Sequence, residues 1–152
     1  RAIIPIGPWG RQRGVWDAAG LAMMRLPCLI MAGTEDEVSG YADGMRLIFD
    51  EVGGAAWLLS FQNAGHNAAA PIPAPDEAWE ASAHLPFPPF QHYADAVWDT
   101  VAMNNIAQHF ARAFLDWHLK GDAAKADYLA PGWKGFEGGV AAGLRLEVRP
   151  MP

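Results

Sequence analysis

The run Leu26-Pro27-Cys28-Leu29-Ile30-Met31-Ala32-Gly33-Thr34-Glu35-Asp36-Glu37 decides the fold. Its first seven residues are apolar on both alternations, so a strand built from them has no face for water and needs cover on both sides. A central strand of a parallel sheet has that character. Pro27 stands at the start, where a missing N–H costs the ladder nothing. Gly33 ends the run, and three acidic residues follow within four positions.

The neighbouring segments repeat the logic. Ala56-Trp57-Leu58-Leu59-Ser60-Phe61 reads as a second buried strand, followed by Gln62-Asn63-Ala64-Gly65-His66-Asn67. Between the two, Tyr41, Met45, Ile48, Phe49 and Val52 recur at helical steps, which predicts a helix from Gly40 to Val52 closed by Gly53-Gly54. Strand, crossover helix and strand imply a parallel pair. Upstream, Ala2-Ile3-Ile4-Pro5-Ile6 reads as another buried strand, ending in the turn residues Gly7-Pro8-Trp9-Gly10. Gly14 and Gly20 interrupt the stretch from Arg11 to Ala22, which reads as a loop or short helix.

Downstream, Ala68 to Pro89 holds six prolines, at 71, 73, 75, 86, 88 and 89, and no sustained period. It is a long irregular excursion. From Tyr93 to Lys120, Ala102, Ile106, Phe110, Phe114 and Trp117 form an apolar stripe at steps of four and three, predicting a long amphipathic helix stopped by Gly121. One more strand is expected at Leu144 to Val148. The fold class is α/β: a mostly parallel sheet with crossover helices and a long C-terminal helix, with no internal repeat or domain boundary.

Composition narrows the function. Among 152 residues, 11 Lys and Arg face 17 Asp and Glu, a net charge of -6, so the surface has no cationic excess with which to hold nucleic acid. The longest apolar run, Leu26 to Ala32, is far short of the roughly 20 residues of a membrane span. No membrane partner is expected. Cys28, the single cysteine, reads as a small buried hydrophobe, and the lack of a disulfide framework suits a reducing compartment such as the cytoplasm. No HExxH or Cys/His ligand spacing occurs, so neither metal nor cofactor is expected. His84, His92, His109 and His118 carry no motif. The last two lie nine residues apart, on opposed helix faces.

Open parallel sheets gather their chemistry beyond the carboxyl ends of the strands. Here the loop after the first strand offers a carboxylate, and the loop after the second offers an imidazole. A hydroxyl nucleophile at neutral pH needs a base to take its proton, and the base needs an acceptor to hold its tautomer. These residues can supply both. On the residues alone, the acid is open among Glu35, Asp36 and Glu37.

The runs LPCLIMAGTEDEVSGY and FQNAGHN resemble the C-terminal half of an α/β-hydrolase of the dienelactone-hydrolase-like group. In that group a strand ending in Gly-Thr-x-Asp presents the acid, and a Gly-His after the last strand presents the base. The resemblance implies Asp36 as acid and His66 as base, in the order nucleophile, acid, histidine. The flanks are similar too: Ala2 to Gly10 resembles the strand after the nucleophile elbow, and Ile106 to Trp117 the closing helix. Without the Pro-rich excursion the match covers about two thirds of the chain. It implies hydrolysis of an ester, a lactone or a similar small-molecule acyl substrate, with Trp9 as a substrate-pocket candidate.

One departure is large. No G-x-S-x-G occurs, and the three serines, Ser39, Ser60 and Ser82, occupy no strand-to-helix elbow. The expectation is therefore that residues 1–152 form the C-terminal part of a single hydrolase domain, with the nucleophile upstream of Arg1. The alternatives are a two-chain enzyme whose partner carries the nucleophile, and a non-catalytic remnant or interaction module. In each, the open edge of the first strand invites pairing, with a missing N-terminal half or a second chain.

Overall fold

The computed structural model describes residues 1–68, 74–133, 135–136 and 142–151. Prolines 71 and 73 of the excursion lie outside the described residues. Strands β1 (Cys28–Gly33) and β2 (Ala56–Phe61) are buried at every position, as their largely apolar character requires. They pair in parallel with level ends, Cys28 opposite Ala56 and Gly33 opposite Phe61. Strand β3 (Leu144–Arg149) adds to β2 antiparallel, giving the order β1-β2-β3. The sheet of named strands is thus mixed rather than mostly parallel.

The N-terminal run corrects a second expectation. Ile3 and Ile6 form parallel bridges to Cys28 and Met31, held by hydrogen bonds from Ile3 N to Pro27 O, Leu29 N to Ile3 O, Met31 N to Pro5 O and Gly7 N to Met31 O. The pairing is strand-like, yet residues 2–5 are only partly buried and Ile6 is 44% exposed. Ile3, Pro5 and Gly7 point their backbone groups at β1. Ile4 and Ile6 point theirs away, by the alternation of a strand, and pair with no described residue. An apolar run records an affinity for burial; it does not say which neighbour completes it.

Helices cover both faces. Helix α1 (Ala18–Ala22), capped by Asp17, and helix α2 (Arg46–Glu51) lie on one side. There Leu21, Met45, Ile48 and Phe49 pack on Cys28, Ile30, Ala56 and Leu58. The stretch expected as one helix from Gly40 to Val52 is split: Tyr41–Met45 is π-wound, with Met45 N bonding to Gly40 O, and the α-helix proper begins at Arg46. Helix α3 (Thr100–Lys120) covers the other face. Its Met103, Ile106, Phe110 and Phe114 meet Leu29, Met31, Leu59 and Phe61. Alternate residues of each strand thus feed opposite cores, as period-two geometry dictates.

Helix α3 starts at Thr100, seven residues later than its periodicity suggests. Asp99 caps it by accepting from Ala102 N at 2.7 Å, and Asp95 accepts from Val97 N and Trp98 N, which holds the preceding turn out of the helix. Gly121 ends it in the left-handed conformation, φ 75°. Trp79 of the excursion stacks on Phe90, just past its end, with ring centroids 3.7 Å apart. Strand β3 is tied down by an Arg46–Glu147 ion pair of 2.7 Å and by Arg149, which donates to the carbonyls of Phe49, Val52 and Gly54 around the end of α2. Among the described residues no helix is long and apolar enough to cross a membrane.

Candidate functional site

Because β1 and β2 end level, the loops that follow them meet. The backbones close on each other at Thr34 N to Phe61 O and Glu35 N to Ala64 O. Thr34 Oγ1 accepts from Asn63 N at 2.8 Å, where Asn63 adopts a left-handed φ of 62°. This approach brings together Asp36 and His66, 30 positions apart in the sequence: His66 Nδ1 stands 3.0 Å from Asp36 Oδ2.

The acid is fixed from both oxygens. Asp36 is 4% exposed, and its Oδ1 accepts from Val38 N at 2.9 Å and Ser39 N at 2.8 Å while Oδ2 faces the imidazole. A carboxylate only accepts, so His66 donates from Nδ1, and in the neutral ring Nε2 is the nitrogen that keeps a lone pair. The His66 side chain is 40% exposed, and Nε2 has no hydrogen-bond partner among the described residues. A buried acid orienting a half-exposed imidazole can take a proton at Nε2 and stabilise the resulting cation. Glu35 and Glu37, the other acids of the loop, are exposed.

Ser39 ties this pair to the N-terminal segment. Its hydroxyl is fully buried and donates to Gly7 O at 2.8 Å. Gly7, at φ 52°, lies against the imidazole: a Cβ built on it meets His66 Cε1 at 3.5 Å. Ser60 Oγ is engaged with the Tyr41 hydroxyl at 2.8 Å, and Ser82 Oγ accepts from His84 N. Cys28 is buried within β1, its thiol pKa pushed up to about 12 by burial. Among the described residues, none of the three serines is hydrogen-bonded to His66.

Trp9 is 51% exposed, and its carbonyl accepts from Trp16 Nε1 at 2.9 Å. The acid loop helps to wall a cleft of about 570 Å³, lined by Gln12, Arg13, Glu35, Asp36, Glu37 and Tyr41 among others. Neither Trp9 nor His66 lines that cleft. Among the described residues no group of three or more His, Cys, Asp or Glu side chains gathers as a metal site.

Asp95 escapes sequence reasoning altogether. Its Oδ2 accepts from Gly65 N, one residue before the imidazole, at 2.8 Å. Asp95 followed by Val97 and Trp98 is readable as a side-chain-capped turn, but nothing in the sequence says that its second oxygen reaches back to residue 65. No protein-family model matches the chain, and no curated protein matches it.

Proposed function

We propose that this chain supplies the acid and base of an acyl hydrolase acting on an ester, a lactone or a similar small-molecule substrate. The 3.0 Å contact between Asp36 Oδ2 and His66 Nδ1 carries the reading, because it joins a buried carboxylate to an imidazole whose other nitrogen is free for proton transfer. The site lies beyond the carboxyl ends of two adjacent parallel strands, where such folds assemble catalytic groups. Its likeness to the dienelactone-hydrolase group rests on the Gly-Thr-x-Asp and Gly-His motifs at these strand ends.

In this reading a Ser or Cys seated on a further strand, paired to the open edge at Ile4 and Ile6, attacks the acyl carbon. His66 Nε2 takes its proton and returns it to the leaving group, while Asp36 holds the ring and stabilises the imidazolium. His66→Ala in the complete protein is expected to remove most turnover on activated esters; near wild-type rates on several esters would sink the assignment. Labelling of the natural polypeptide by a fluorophosphonate, followed by intact-mass analysis, tests for the nucleophile directly.

A second reading, an interaction module that keeps a hydrolase-like scaffold, draws on one observation. The serines and Cys28 are otherwise engaged or buried, while the edge at Ile4 and Ile6 is open among the described residues. It expects no probe adduct and a rate unaffected by His66→Ala.

A further inference from the structure

We propose that Asp95 is the positioning residue of the base: its carboxylate holds the Gly65 peptide so that His66 stays on Asp36. The inference rests on the reading of His66 as a base, and its geometry comes from a segment that supplies no reacting group.

Three N–H donors converge on Asp95. Oδ1 accepts from Val97 N at 2.9 Å and Trp98 N at 2.8 Å, and Oδ2 accepts from Gly65 N at 2.8 Å. Serving a turn with one oxygen and a distant peptide with the other requires two acceptor atoms on a short side chain. Asp meets that requirement; Asn offers one acceptor and an NH₂. The rest of the segment closes on the same loop. Asn67 Nδ2 donates to Gln91 O at 2.8 Å and Ala94 O at 3.0 Å, and Trp98 Nε1 donates to Gln62 O at 2.8 Å. The Trp98 ring also meets Phe61 edge-on, with centroids 5.2 Å apart.

Residues on both sides of His66 are therefore bonded to the chain between 91 and 98, while the imidazole itself is held through Nδ1 alone among the described residues. The segment between the Pro-rich excursion and α3 thus comes back to the end of β2, and its bonds to residues 62, 65 and 67 are what place the imidazole. Loss of the Gly65 bond frees the peptide that sets the direction of the ring.

The test is Asp95→Asn, which keeps one acceptor for the Val97 and Trp98 turn and faces Gly65 N–H with a donor. The readouts are the His66 Nδ1–H proton resonance and the hydrogen-exchange rate of the Gly65 amide, with Asp36→Asn marking full loss of the ring contact. With circular dichroism unchanged, we expect the Nδ1–H signal to broaden toward its Asp36→Asn appearance and Gly65 exchange to rise about tenfold to a hundredfold. In the complete enzyme kcat falls while KM holds. An unchanged Nδ1–H signal in folded Asp95→Asn overturns the proposal. Should the variant not fold, the wild-type protein decides: a Gly65 amide exchanging at the rate of a free loop amide overturns it, and a protected one supports it. None of the spectroscopic readouts needs turnover. An esterase rate indifferent to His66→Ala would defeat the hydrolase reading without touching them.

Discussion

Ser39 Oγ donates to Gly7 O at 2.8 Å, so the loop that carries the acid is fastened to the turn that lies against the base. The same residue's N–H binds Asp36 Oδ1. Ser39→Ala keeps that N–H but leaves a partly buried carbonyl without its donor. A loss of about 1–2 kcal/mol is expected, measured as a lower urea midpoint with an unchanged slope. An unchanged midpoint would mean that water replaces the hydroxyl at no cost.

The junction between the two strand-end loops leaves no room for a methyl group at Gly33. A Cβ there runs into the carbonyl oxygens of Gly65 and Ala64, which are backbone and have no side-chain freedom with which to yield. Gly33→Ala is expected to cost at least about 2 kcal/mol and to push the 64–66 backbone away from β1. Circular dichroism melts give the first effect. Loss of the His66 Nδ1–H resonance gives the second, and a resonance that survives in the folded variant would contradict the close approach.

Both central strands are legible in the sequence because every position in them but Ser60 is apolar or glycine, and a doubly covered strand is the use such a run allows; Ser60 is buried with its hydroxyl bonded to Tyr41. The stripe from Ile106 to Phe114 is legible for a similar reason: burial on one side imposes a period. What escapes is set by features without one. The late start of α3 depends on two aspartates, Asp95 and Asp99, whose side chains compete for backbone N–H groups that a helix otherwise claims. At the site, the strand-end rule places Asp36 and His66 near each other. The supporting bonds from Ser39 to Gly7 and from Asp95 to Gly65 close across irregular chain, where no pattern foretells the partner.

Cys28 gives a clean probe of this core. Its thiol is completely buried on β1 and raised to about 12, chiefly by burial and against a small opposing effect of Arg149. Thiolate is the reactive form, so the native protein is expected to resist iodoacetamide and aromatic disulfides at pH 8. Labelling should follow the opening of the sheet, rising with denaturant in step with the unfolding transition. Fast labelling without denaturant would show that β1 opens locally.

The two histidines of α3 give stability a pH dependence whose direction is determined by their surroundings. His109 is stacked on Trp133 at 4.8 Å and ringed by Phe110, Tyr128 and Phe136; His118 is stacked on Trp117 at 4.4 Å with Trp57 and Phe114 edge-on. Each Nε2 is buried without a hydrogen-bond partner. Burial lowers both pKa values below the ordinary 6.5, helped by Lys125 at His109. Between the folded pKa values and 6.5 the unfolded chain binds protons that the folded chain refuses, so stability falls as pH drops below about 6.5. The carboxylates titrate in a lower window. Glu51 and Asp116 are held below 4.5 and 3.8 by bonds to Arg11 and Lys120, so their stabilisation is present above those values and is lost as pH falls through the folded pKa values. Urea midpoints measured from pH 7.5 to 5 should therefore decline in the wild type and flatten in His109→Phe/His118→Phe, with both proteins declining together below pH 4. A double variant as pH-sensitive as the wild type between 7 and 5 would place the titrating groups elsewhere.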